Sequence, residues 1–175
     1  MGGFRSTSCS TSFRRAGPVR IIGIDPGSRI TGYGIIDKQG PGLGFVTCGT
    51  IRTDKETDFS RRLLVIFQGL AKVLKQHRPE VAAVEDLFSA HNVRSALKLG
   101  QARGAAVTAV MQQGLPVYDY TPRKVKQAVA GYGQAEKGQV QHMVCTLLGL
   151  SGTPSSDAAD ALAVAICHAN HIDRL

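Results

Sequence analysis

The stretch from Val19 to Ile36, VRIIGIDPGSRITGYGII, most constrains what this chain can fold into. It begins with an apolar run rich in β-branched residues, which predicts a buried strand. Asp25 closes that run, Pro26 and Gly27 predict a turn, and a second run at 30–36 predicts a neighbouring strand. A carboxylate at the end of a buried strand costs free energy unless it is paired or binds something. By itself, the stretch favours a turn-capping role for Asp25 over a metal-binding role.

The remaining segments predict an α/β fold. A third strand at 43–52 follows a glycine-rich turn, so the first three strands are expected to form an antiparallel meander. We then expect helices at 58–77 and 93–113, each followed by a strand, at 81–84 and 117–120, and three final helices at 123–129, 136–148 and 157–171. This order predicts a mixed sheet, three antiparallel strands followed by parallel ones, with helices on its faces.

Composition separates the N-terminus from the rest of the chain. Residues 1–18 are rich in Ser and Arg and contain no acid, so we expect a disordered basic extension followed by a single domain at 19–175. The net charge of +8 favours an anionic partner such as nucleic acid, although arginines within the first twenty residues supply half of that charge.

The sequence argues against a membrane-spanning protein and against a zinc site built from its cysteines. No apolar run is long enough to span a bilayer, so we expect no membrane partner. The four cysteines lack zinc-site spacing, which indicates reduced thiols in a cytoplasmic protein; they are Cys9, Cys48, Cys145 and Cys167. His168 and His171, near Cys167, are expected on a solvated helix C-terminus rather than in a metal site.

Carboxylates occur at two further places that the fold could bring to Asp25. Glu85 closes the fourth predicted strand, and Asp157 and Asp160 share one face in the first turn of the last, alanine-rich helix. The helix dipole explains one acid there, but it explains two acids in an apolar helix poorly. If the strands that end at Asp25 and Glu85 are parallel neighbours, the four acids meet at one end of the sheet.

Four carboxylates in one place repel one another unless cations are bound. Oxygen ligands without His or Cys suit Mg²⁺ or Mn²⁺. A pair of such ions is an established arrangement for in-line attack of water on a phosphodiester. The acids therefore favour a metal-dependent reaction at a phosphodiester.

Six motifs occur together in this chain: GIDPGSRITGYGII at 23–36, VED at 84–86, SALKLGQARG at 95–104, VKQAV at 125–129, AEKGQVQHMV at 135–144 and DAADALA at 157–163. In this order and spacing they resemble the RuvC family of bacterial Holliday-junction resolvases. The resemblance covers roughly residues 21–169. It implies a ribonuclease H-like fold and a homodimer that cuts four-way DNA junctions symmetrically, leaving 5′-phosphates, in recombination and repair. It also implies two Mg²⁺ ions per site, replaceable by Mn²⁺, and the RuvA–RuvB branch-migration complex as a partner.

The resemblance further implies roles for individual residues. The positions that match the family's metal-binding and catalytic acids are Asp25, Glu85, Asp157 and Asp160. Lys126 and Lys137 match basic residues close to the cut strand, and Lys137 is expected to stabilise charge during catalysis. Phe88 matches an aromatic residue that can wedge an opened base step. Phosphate contacts are also expected from Arg94, Arg123 and Lys124. A core position for Phe88 and ordinary solvated positions for the two lysines are the alternatives.

Two other classes of protein share part of this pattern. In sugar-kinase and actin-like phosphotransferases, the first phosphate loop has the same order of a strand, an Asp, a Gly and a second strand. Those proteins, however, need two lobes and a much longer chain. A junction-binding protein without nuclease activity is the other alternative, and the presence of all four acids argues against it.

Overall fold

The computed structural model describes residues 17–86 and 92–172 of the chain. The described strands are β1 (Val19–Asp25), β2 (Ile30–Gln39), β3 (Gly42–Arg52), β4 (Val81–Glu85) and β5 (Val117–Tyr120). The described helices are α1 (Phe59–His77), α2 (Val93–Gln112), α3 (Pro122–Ala130), α4 (Lys137–Leu148) and α5 (Ser156–Ile172). The order of strands and helices expected from the sequence is confirmed.

The strands form one mixed sheet in the order β3-β2-β1-β4-β5. Strand β2 pairs antiparallel with β1 and β3, whereas β4 pairs parallel with β1 and β5. Strands β1 and β4 are therefore parallel neighbours at the centre of the sheet. This is the arrangement required for the carboxylates that end them to meet.

Strand β2 is longer than the sequence indicated, because it continues through Asp37 and Lys38 to Gln39. The guanidinium of Arg20 on β1 donates hydrogen bonds of 2.8 and 2.9 Å to the Asp37 carboxylate. This cross-strand ion pair keeps a polar segment in the sheet that resembles a loop when only its sequence is read.

The helix starts follow local capping signals. The side chain of Asp58 accepts a hydrogen bond from the Ser60 amide at the start of α1, and the Thr121 hydroxyl accepts one from Lys124 at the start of α3. Glu136, expected inside α4, instead precedes it and forms a reciprocal capping box with Gln139. Lys137 is consequently the first residue of α4.

Helices cover both faces of the sheet. On one face α1 and α2 pack over buried side chains such as Ile22, Ile24 and Val84, and on the other α3, α4 and α5 pack over Ile21 and Ile36. Helix α5 is the most deeply buried, since nearly every residue from 158 to 169 is inaccessible to solvent. It lies against β1 and β2.

The expectation that His168 sits on a solvated helix C-terminus is wrong. Its side chain is 2% exposed, because α5 packs against β5 there. Nδ1 of His168 lies 2.8 Å from the hydroxyl of Tyr120, and its ring lies 4.6 Å from that of Tyr118, centroid to centroid. Burial lowers the pKa of His168 to about 4, which keeps its imidazole neutral. The histidine therefore belongs to the core.

Some expectations concern residues outside the described ranges, namely the basic extension at 1–16, Cys9 and Phe88. Within the described ranges, Cys48, Cys145 and Cys167 are free thiols, as expected. No helix in the described part of the chain is long and apolar enough to cross a lipid bilayer.

Candidate active site

The ends of the two central parallel strands bring Asp25 and Glu85 together. Ile24 and Val84 are in register, and the two acids are the next residues on β1 and β4. Their side chains share a hydrogen bond in which Glu85 donates and Asp25 accepts. Because Asp25 and Glu85 end neighbouring parallel strands, their carboxyl groups are in direct contact.

Burial and like charge perturb both groups. Desolvation, followed by the nearby Asp160 and Asp157, raises the pKa of Asp25 to about 6. Desolvation, followed by Asp25 and Asp160, raises the pKa of Glu85 to about 8. Near neutral pH the pair therefore holds a proton that isolated carboxyl groups would lose.

The first turn of α5 lies over the same edge of the sheet. Gly32 on β2 is opposite Asp25 in the strand register, and a Cβ built on Gly32 would meet the backbone carbonyl of Asp157. Asp157 and Asp160 both act electrostatically on Asp25. The structure therefore brings together the four acids that the sequence singled out.

Lys137 provides a positive charge inside this acidic group. Its Nζ lies 2.6 Å from Oδ2 of Asp160. The hydrogen bond to Asp160, together with the charges of Asp25 and Asp157, raises the pKa of Lys137 above its ordinary value. The lysine side chain remains 63% exposed, so its ammonium can still be reached from solvent.

A cleft of about 190 Å³ opens beside the acids. Its polar lining combines both signs of charge, from Glu85, Asp160, Lys126 and Lys137. Its apolar walls come from α3, α4 and α5, through Pro122, Val125, Val140 and Ala163. The cleft thus offers a wall for uncharged groups next to cations that can face phosphate.

The other expected DNA contacts lie away from this lining. Arg123 and Lys124 are exposed on the first turn of α3, and Arg94 is exposed at the start of α2. The side chain of Arg123 packs beside Gly133 in the connection to α4. Phe88 falls outside the described residues.

Among the residues that the structure describes, no three His, Cys, Asp or Glu side chains already converge as a metal-binding group. Within this acidic group, Lys137 forms an ion pair with Asp160, and the carboxyl groups of Asp25 and Glu85 interact with each other. The donor chemistry nevertheless fits a hard divalent cation, because every candidate ligand is a carboxylate. A bound cation would also relieve the repulsion that raises the two pKa values.

A mixed sheet in this order, with helices on both faces, is a ribonuclease H-like fold, and acids end its two central strands. The family model described as "Crossover junction endodeoxyribonuclease RuvC" matches residues 21–168, and the chain belongs to this RuvC family of endonucleases.

Individual relatives agree with that assignment. The crossover junction endodeoxyribonuclease RuvC of Geobacter sulfurreducens is 58% identical over 152 residues, which cover 87% of this chain and 93% of that protein. The structure of Thermus thermophilus RuvC is 36% identical, with a TM-score of 0.81 over 89% of this chain and 96% of that one. A structure of T. thermophilus RuvC in complex with Holliday junction substrate is 37% identical, with a TM-score of 0.83 and the same coverage. The resemblance drawn from the six motifs is confirmed.

The raised pKa values predict how the metal-free protein responds to pH. The folded state holds protons on Asp25 and Glu85 that the unfolded chain releases near pH 4, so the stability they contribute falls as pH rises from about 4 to about 8. Glu85→Gln keeps a hydrogen-bond donor and removes this titration. We expect the variant to exceed wild type in free energy of unfolding by about 1–3 kcal/mol at pH 8.

The measurement is urea unfolding with EDTA at several pH values, and the gap between variant and wild type should shrink towards pH 4. A gap that does not change with pH would contradict the shared proton.

Proposed function

We propose that this chain is a structure-selective endonuclease that resolves four-way DNA junctions by metal-dependent hydrolysis of phosphodiesters. The observation that carries the proposal is the convergence of Asp25, Glu85 and the first turn of α5 at one edge of the sheet. Family membership and the junction complex of T. thermophilus RuvC support the choice of substrate. Paired cuts in opposed strands, leaving 5′-phosphates, would serve homologous recombination and repair.

The four carboxylates would hold Mg²⁺, two ions per site, and Mn²⁺ would substitute. Asp25 is the best candidate for a shared ligand, because its carboxyl group interacts with all three other acids. Glu85 would bind one of the two ions, and Asp157 or Asp160 would bind the other. When bound, such ions lower the pKa of water and offset charge on phosphate oxygens.

The chain's own groups then have separate tasks. Glu85 and Asp25 must give up their shared proton before both carboxylates can act as ligands. Lys137, whose side chain is largely exposed, can leave Asp160 and turn its ammonium towards a phosphate oxygen. The apolar walls of the cleft would leave less water beside that phosphate, which would strengthen the charge interactions there.

Asp25→Asn tests the catalytic proposal directly. We expect at least about a thousandfold slower cutting of a labelled four-way junction with Mg²⁺, because the substitution removes a charge that every bound ion would use. Junction binding, measured in Ca²⁺ or EDTA, should stay within a few-fold of wild type. Asp160→Asn should behave in the same way, and Asp54→Asn, on the loop after β3, is the matched control.

Two outcomes would contradict the proposal. If the wild type binds the junction tightly but makes no paired nicks, the protein is a junction-binding protein without nuclease activity. If Asp160→Asn cuts at the wild-type rate, Asp160 is not one of the metal ligands.

We propose that Lys126 contacts a phosphate of the junction, since it lines the cleft beside Lys137. Lys126→Met should weaken junction binding uniformly across sequences and reduce the slope of log affinity against log salt by about 1. Lys72→Met provides the control, because Lys72 is exposed on α1 on the other face of the sheet. An equal salt slope for both variants would contradict the contact. We also propose Arg94, Arg123, Lys124 and Phe88 as further contacts with the junction, and the first three are exposed outside the cleft lining.

We propose a homodimer formed through α2. Its N-terminal half exposes Val93 (77%) and Leu97 (63%), which are one turn apart. Gly100 and Gly104 continue the same face, and a Cβ on either would meet nothing within 4 Å. Glycine in a helix interior costs about 1 kcal/mol relative to alanine, and no contact within the described chain offsets that cost. Close packing of the same helix from a second copy would do so, and would give the two-fold symmetry that paired cuts need.

Leu97→Asp tests this interface. A carboxylate buried without a partner costs several kcal/mol, so we expect dimer dissociation to rise by more than about a hundredfold. Sedimentation equilibrium gives the mass, and Leu64→Asp on α1, at a position 52% exposed, is the matched control. A Leu97→Asp variant that remains dimeric at the concentrations where wild type does would exclude α2 as the interface.

The family relationship also motivates a partner, a location and a domain assignment. We propose that the chain works in the cytoplasm with the RuvA–RuvB branch-migration complex. We also propose that residues 19–175 act as a single nuclease domain and that residues 1–18 are not part of it.

A further inference from the structure

Helix α5 rests directly on the backbone of the sheet, where three glycines form what we call the glycine trench: Gly23, Gly32 and Gly34. A Cβ added to Gly23 would lie 2.0 Å from the carbonyl oxygen of Ala161. A Cβ added to Gly34 would lie 2.6 Å from the Leu162 side chain and 2.8 Å from the Leu162 backbone nitrogen. Contacts this close require the absence of side chains, so the trench sets the depth at which α5 sits.

Gly32 differs from the other two glycines in what surrounds it. An added Cβ would lie 2.0 Å from the carbonyl oxygen of Asp157 and 2.5 Å from its carbonyl carbon. In the strand register Gly32 is opposite Asp25, whereas Gly23 is opposite Gly34. Gly32 therefore neighbours both an acid of the sheet and the backbone of an acid of the helix.

We propose that Gly32 is a positioning residue that sets the spacing between the carboxylate of Asp25 and the first turn of α5. The atoms it faces belong to the backbone of Asp157, which cannot rotate away as a side chain would. The remaining turns stay seated, because Ala161 and Ala165 contact Gly23. A side chain at position 32 therefore lifts the turn that carries Asp157 and Asp160 more than the rest of the helix.

This inference rests on the proposed metal-dependent activity, so its test reads metal binding apart from cutting. Full-length Gly32→Ala is compared with Gly34→Ala, whose added Cβ also meets α5 but at Leu162, beyond the acids. Thermal unfolding of each variant is followed in EDTA and in a titration of MgCl₂. Both substitutions should lower the midpoint in EDTA.

The response to Mg²⁺ separates positioning from a purely structural role. We expect Gly32→Ala to need about ten- to a hundredfold more Mg²⁺ for half of the metal-induced rise in midpoint, the range found when a supporting residue of a metal site is changed. Gly34→Ala should stay within about threefold of wild type. Junction affinity in EDTA should be unchanged in Gly32→Ala, while its cutting rate at saturating junction falls.

Ala158→Val provides a second variant if Gly32→Ala does not fold. The Ala158 amide lies 3.3 Å from the same added Cβ, and the residue is 2% exposed, so a larger side chain there disturbs the same turn. It should reproduce the weakened Mg²⁺ response.

The outcomes distinguish the two proposals. A wild-type protein that Mg²⁺ does not stabilise overturns the proposed metal site itself. If Mg²⁺ stabilises the wild type, and Gly32→Ala and Gly34→Ala need the same Mg²⁺ concentration for half of the rise in midpoint, only the role of Gly32 is overturned. If Gly32→Ala does not fold, an unchanged response in Ala158→Val overturns it equally.

Discussion

Repulsion between carboxylates is the constraint on which this structure depends. The fold brings four of them to one edge of a sheet, and the rigid centre of the molecule prevents them from separating. Ile22, Ile24 and Val84, next to the strand ends, are fully buried, and close packing there resists small displacements. The repulsion is reduced in the metal-free protein by two positive charges that are already present. A proton shared by Asp25 and Glu85 is one, and the ammonium of Lys137 on Asp160 is the other.

Those two charges also describe what a divalent cation must replace. Binding would release the shared proton, which makes metal affinity rise with pH, and would free Lys137 from Asp160. In the proposed mechanism the lysine would have a partner in both states, the Asp160 carboxylate before metal binding and a phosphate afterwards. Lys137 offsets the charge of Asp160, and its side chain stays largely exposed, so it can move without disturbing the core.

Local signals explain why much of this fold could be predicted from the sequence. Strand ends, capping residues and helical periodicity are properties of short segments, and they gave the element order and the positions of all four acids. The trench under α5 could not be predicted in that way, because Gly32 and Asp157 are distant in sequence and meet only in the folded chain. The core position of His168 could not be predicted for the same reason, since it depends on contacts between α5 and Tyr118 and Tyr120 of β5. In each case the missing information is a tertiary contact.

The order of the chain also connects the acidic edge to the proposed dimer face. Glu85 ends β4 and Val93 begins α2, so fewer than ten residues join a candidate ligand to the exposed half of that helix. An ion pair between Arg103 and Asp119 fixes the middle of α2 to β5, the strand next to β4. If two copies pack along α2, the contact between α2 and β5 helps to fix the distance between their acidic edges. Symmetric cutting needs such a fixed distance, because each site must reach one of two opposed strands of the same junction.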